Sequence, residues 1–149
     1  MDAHSDELSR LIIDEIIAAT GLHSNKVTRR LFWPFFHKVT DHLAFLLGQF
    51  DQIVGEQGLP EGSRWLLSNF CSSVRVRGSE NIPKEGPLLV ASNHPGAYDG
   101  LIAFASLQRK DILWISNDIP AFHLVKNVQK HILYASKANR EGHFIVLRK

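Results

Sequence analysis

The chain has 149 residues, 44% hydrophobic and 21% charged, the length and balance of one ordinary soluble globular domain that can hide roughly 70% of its unfolded surface. Cys71 is the single cysteine, so no internal disulfide can form and a reducing compartment is expected. Residues 1–60 hold five Lys/Arg against eight Asp/Glu and residues 61–149 hold twelve against seven; the basic second part would favour an anionic ligand, though a charge this small is more often just a solvated surface. No basic stripe interleaved with aromatics marks a nucleic-acid partner.

The opening Met1-Asp-Ala-His-Ser-Asp-Glu-Leu-Ser-Arg10 is acidic and polar, unlike a signal peptide. Leu8, Leu11, Ile12, Glu15 and Ile16 follow helical spacing, and Gly21 is a natural stop. Ser24 is expected to cap a second helix, with a stripe Val27, Leu31, Phe35, Val39, Leu43, Leu46, Phe50 and Ile53. Pro34 lies inside that stripe and predicts a kink or break. Lys38, Asp41 and His42 interrupt the longest apolar run, so no membrane-spanning helix is expected. A third helix should start near Pro60 and reach about Phe70.

Near residue 73 the rhythm changes to β–α–β–α–β. Ser73 to Arg77 alternates like a half-exposed strand, and Leu88 to Ala91 is an all-apolar run suited to a buried one. Leu101 to Leu107 reads as helix, Ile112 to Ile115 as strand, Pro120 to about Lys130 as helix, and Ile132 to Ala135 as strand. This alternation predicts a mostly parallel sheet with right-handed crossovers and its ligands at the carboxyl ends of the strands. Phe144 to Leu147 starts a further apolar element that Arg148-Lys149 ends without a turn, and the small sheet leaves an open edge. The expected fold class is therefore α/β: an N-terminal helical module over residues 1–72, then an apparently truncated, incomplete α/β layer over residues 73–149.

The informative segment is Ala91-Ser-Asn-His-Pro-Gly-Ala-Tyr-Asp-Gly100. It places His94 on a loop after a strand and Asp99 at a helix start, while Pro95-Gly96 can turn the chain so that the two meet. An imidazole held on one nitrogen by a carboxylate offers the other as a base of fixed tautomer. Such a base can take the proton of a hydroxyl attacking a thioester. The plainer reading makes Asp99 a helix N-cap and His94 an ordinary loop histidine, since eight histidines meet a bare His-x4-Asp pattern easily by chance.

The longer stretch from Val74 to Asp99 resembles the glycerolipid acyltransferase family of the 1-acylglycerol-3-phosphate type. It matches an opening strand, a Gly78-Ser-Glu-Asn-Ile-Pro83 lead-in, Gly86-Pro87 before the next strand, and Asn93-His94 with Asp99. The resemblance covers roughly residues 74–137. It implies acyl transfer from acyl-CoA or acyl carrier protein to a lysophospholipid or glycerol-phosphate hydroxyl, with His94 as base and Asp99 orienting it. It implies no metal and no cofactor beyond the thioester co-substrate, and a protein of the cytoplasm held peripherally on a membrane surface. Ile132 to Lys137 falls where the family places a phosphate-binding block ending in arginine. Lys137 can supply a point charge there, though not the forked contact of a guanidinium, and a plain surface lysine is the other reading. A third block of the type Phe-Pro-Glu-Gly-Thr-Arg does not follow, so the chain alone is expected to be nearly inactive.

Leu59-Pro-Glu-Gly-Ser-Arg64 imitates that third block but precedes His94 and reads as an inter-helix turn with Gly58 as C-cap. His37 and His42, and His123 and His131, lack the i, i+4 spacing of a helical metal site. Leu31-Phe-Trp-Pro-Phe-Phe36 beside Arg29, Arg30 and Lys38 reads either as an interfacial membrane segment or as helical core. The alternative function is a non-catalytic helical lipid- or partner-binding module on an incomplete acyltransferase-like sheet. A hydrolase built on His94 lacks a Gly-x-Ser-x-Gly elbow.

Overall fold

A computed structural model of the chain describes residues 3–93 and 98–135. Helix α1 (Ala3–Ala19) buries Leu8, Ile13 and Ile17. It ends where Thr20 Oγ1 donates to Ile17 O and Gly21 takes a left-handed φ of 81°. Helix α2 (Lys26–Gln57) runs for 32 residues, about 48 Å at the usual rise. Its cap is Asn25 rather than Ser24: Asn25 Oδ1 accepts from the Val27 and Thr28 amides at 2.8 and 3.0 Å, and Thr28 Oγ1 accepts from Asn25 N. Ser24 donates instead to Asp14, which also takes a two-bond fork from Arg29 and so ties α1 to α2. The helix continues through Pro34, which lies on an exposed face where the carbonyl freed by the missing N–H can be hydrated.

The expected stripe of α2 divides. Leu46 and Phe50 are buried with Thr40, Ala44 and Val54, whereas Val27, Leu31, Phe35 and Val39 face outward. Gly58 (φ 103°) closes α2 and opens α3 (Leu59–Ser68), with Pro60 in its first turn. A methyl on Gly62 would lie 2.5 Å from Val54 Cγ2, so the α2–α3 approach requires glycine there.

The α/β expectation is met in part. Strands β1 (Trp114–Asn117) and β2 (Ile132–Ala135) pair in parallel, with Trp114 opposite Ile132 and Asn117 opposite Ala135. The strands expected at 73–77 and 88–91 do not form: both segments lack a ladder partner among the described residues, and Leu89 is 90% exposed. An extended run becomes a strand only when a neighbour takes its amides and carbonyls. Helix α4 (Asp99–Ser106) precedes β1. The helix expected over 120–130 is two pieces, a 3-10 turn at Pro120–His123 and α5 (Lys126–Gln129). Val125 leaves helical geometry between them to become a buried core residue. Asp51 of α2 then starts α5 afresh, because its Oδ1 accepts from the Asn127 and Val128 amides at 2.7 and 2.9 Å.

One core joins these elements. Leu46, Phe50 and Val54 of α2 and Leu59 and Leu66 of α3 pack with Leu107, Ile112, Val125, Val128 and Ile132. The long helix is thus the platform on which the segment from α4 to β2 rests.

Candidate functional site

Of the three residues singled out from sequence, His94 and Lys137 lie outside the described residues, and Asp99 is placed. Asp99 is the first residue of α4, and the N-cap is Tyr98, with no side-chain capping bond. The simple reading of Asp99 as N-cap is therefore corrected. A carboxylate in the first turn is favoured by the helix dipole. Asp99 is half-buried, with one carboxylate oxygen shielded from solvent.

Both ends of α4 are anchored. Tyr98 stacks on Phe70 beyond the end of α3, ring centroids 5.2 Å apart. At the other end Arg64 Nη1 donates to Ala105 O at 2.6 Å, a cation on helix-terminal carbonyls. Phe104 stacks on Trp114 at 4.7 Å, which sets the last turn of α4 against the start of β1. The Pro-Glu-Gly-Ser-Arg run at 60–64 thereby has a structural account: Pro60 starts α3, Gly62 admits Val54, and Arg64 holds α4. It lies in a helix rather than the expected turn, with Gly58 as the expected C-cap.

Beside α4 runs an apolar groove of about 280 Å³, lined by Ile82, Leu88, Val90, Ala103 and Leu107. Leu88 and Val90 belong to the apolar run that precedes His94 in the sequence. An adjoining cavity of about 310 Å³ includes Lys84 and Arg109. Arg109 is held there by a two-bond fork to Asp111, at 2.8 and 2.5 Å, which keeps the Asp111 carboxyl below its usual range.

A second group was not foreseen. At the carboxyl ends of β1 and β2, His123 Nε2 lies 2.6 Å from Asp118 Oδ1, and Gln129 Nε2 lies 3.1 Å from His123 Nδ1. With the amide donating to Nδ1, the imidazole carries its proton on Nε2 and gives it to Asp118. Tyr134 stacks on that ring at 4.7 Å, and burial, then the charge of Asp118, pushes its phenol above the ordinary range. The sequence signal was Asp118-x4-His123 after a strand, the same interval as His94 and Asp99 in reverse. It is hidden when His123 is tested only against His131 as a metal pair. Among the described residues no group of His, Cys, Asp and Glu could hold a metal ion.

A pinned helix opening on a shielded carboxylate, beside an apolar groove, can orient a base near a hydrocarbon tail. Among protein families, the family model described as Acyltransferase matches residues 73–149, more than half of the chain and the whole segment from the 74–77 run onward. No curated protein and no solved structure matches. On the strength of that match the chain belongs to the acyltransferase family.

Proposed function

We propose that the protein moves a fatty acyl group from an acyl-CoA or acyl-carrier-protein thioester to the hydroxyl of a lysophospholipid or glycerol phosphate. The observation that carries this reading is Asp99, a half-buried carboxylate at the head of an anchored helix, five positions after His94 in a family acyltransferase segment. Asp99 orients the imidazole of His94. The free ring nitrogen takes the acceptor's hydroxyl proton as its oxygen bonds to the thioester carbonyl carbon. The tetrahedral intermediate collapses, the C–S bond breaks, and the imidazolium returns the proton to the leaving thiolate. The scheme calls for no metal; Lys137 supplies positive charge for the acceptor's phosphate. The groove lined by Leu88, Val90 and Ala103 shelters hydrocarbon from water.

The test is thiol release from acyl-CoA in the presence of lysophosphatidate, catalysed by the protein expressed from its complete reading frame. His94→Ala should lower kcat by about 10²-fold or more with little change in KM. Asp99→Asn should lower kcat less severely and move the acidic limb of its pH profile. Near-normal turnover of purified His94→Ala overturns the assignment.

A further inference from the structure

The first half of α2 wears its apolar side chains on the outside. Val27, Leu31, Phe35 and Val39 are 76, 64, 77 and 51% exposed, and Trp33 is 40% exposed. Four-residue steps keep the first four on one slowly turning face, the kind of stripe a helix in a water-soluble protein normally turns inward. From Thr40 onward α2 does so. Before Thr40, α1 is fixed against α2 by the Asp14–Arg29 fork and leaves this face bare. Stacking of Phe32 on Phe36 and of Trp33 on His37 stiffens the aromatic segment.

Charge follows the same segment. Between Gly21 and Thr40 stand Lys26, Arg29, Arg30 and Lys38 and no aspartate or glutamate, whereas residues 1–60 otherwise hold eight acids and only Arg10. Arg29 is engaged by Asp14, which leaves Lys26, Arg30 and Lys38 exposed around the apolar stripe. Aromatic and aliphatic groups ringed by unpaired cations match the two layers of a membrane surface, acyl chains below and anionic headgroups above. A second copy of the chain fits less well, because a two-fold contact through this face sets its cations against themselves. No helix among the described residues is long and apolar enough to cross a membrane.

We propose that residues 26–39 of α2 form a docking face for an anionic phospholipid bilayer, lying in the plane of the interface with Leu31 and Phe35 inserted and Arg30 and Lys38 at the headgroups. The proposal stands apart from the acyl-transfer chemistry, and its test reads binding alone. Purified protein is sedimented with phosphatidylcholine vesicles that contain or lack phosphatidylglycerol, at low and high salt. The protein should pellet with the anionic vesicles, and in Phe35→Trp the added indole should shift its emission to the blue as it leaves water. Leu31→Asp with Phe35→Asp should abolish binding. Arg30→Gln with Lys38→Gln should weaken it by about 25-fold, at about fivefold per cation near the surface, and flatten the salt dependence. The four positions are exposed, so unchanged thermal melts separate lost docking from lost folding. Wild-type protein left in the supernatant, equal partition onto neutral vesicles, or either double variant binding like wild type overturns the proposal. So does a dimer seen by light scattering that Leu31→Asp with Phe35→Asp dissolves, without vesicle binding, which would give the face to a second copy.

Discussion

Asp51 is the side chain on which the joint between the long helix and the sheet depends, and removing it should loosen that joint measurably. Its Oδ1 receives two backbone amides, Asn127 and Val128, at 2.7 and 2.9 Å, and Asn127 Nδ2 donates to Asp51 Oδ2 and to Asp51 O at 3.2 Å each. A hydrogen bond to a charged partner contributes about 1.5–3 kcal/mol and a helix cap about 1 kcal/mol. These two amides cap one short helix from a partly solvated position, so the contributions overlap and water recovers part of them. Asp51→Ala should therefore cost about 2–3 kcal/mol, which at this size lowers Tm by about 5–10 °C. Asp51→Asn keeps a carbonyl acceptor for one amide and should cost about 1 kcal/mol. Urea unfolding followed by circular dichroism and tryptophan fluorescence reads both, with the midpoint falling and the slope unchanged. A loss under about 0.5 kcal/mol for Asp51→Ala, the range of an ordinary surface change, would show that α5 is held by its apolar contacts and not by its cap.

Three further outcomes follow from single contacts. Gly62→Ala should destabilise by about 1–3 kcal/mol, since its methyl would meet Val54 Cγ2 at 2.5 Å and the Phe50 ring at 3.1 Å; an unchanged urea midpoint would mean that α3 can shift freely. Arg64→Ala should cost about 1 kcal/mol in the same assay through the lost bond to Ala105 O, and lysine should not restore it if the planar fork matters. Of the two tyrosines, Tyr134 should ionise above the usual range in an absorbance titration, and Asp118→Asn should bring it part of the way down. A raised phenol keeps the folded chain protonated while the unfolded chain ionises, so this contribution is full below about pH 10 and fades as pH rises further; two normal tyrosines would refute the placement.

What could be read from the sequence depended on whether the signal was local. Helices α1 and α3, the strand at 132–135 and the stop at Gly58 declare themselves through spacing and turn residues, and the structure keeps them. The cap of α2 was misplaced by one residue because Ser24 and Asn25 are both good caps, and the choice depends on Asp14, ten residues from Ser24, taking the serine hydroxyl. The break at Val125 depends on Asp51, more than seventy residues away. The apolar stripe of α2 gave no warning that its first half would face outward, because periodicity shows that a face exists but not which partner covers it. Strands at 73–77 and 88–91 were over-read for the same reason: alternation and apolar runs describe candidates, and a ladder partner makes the strand.

The setting of Asp99 was legible to the same degree. Asp99 could be placed at a helix start because Pro95-Gly96 before it and Leu101 to Leu107 after it mark a turn and a helix. The pair at Asp118 and His123 escaped because its two members meet only through the 3-10 turn at Pro120–His123. Both pairs span the same interval, so spacing alone cannot rank them; solvation can. Asp118 and His123 side chains are 63 and 45% exposed, and a contact so open to water contributes little orientation or energy. Asp99 begins an anchored helix with one carboxylate oxygen out of solvent, an environment in which charges are screened far less. A base that must hold one tautomer through a reaction needs the second environment. That contrast, rather than the shared spacing, is the reason to propose Asp99 and not Asp118 as the orienting acid.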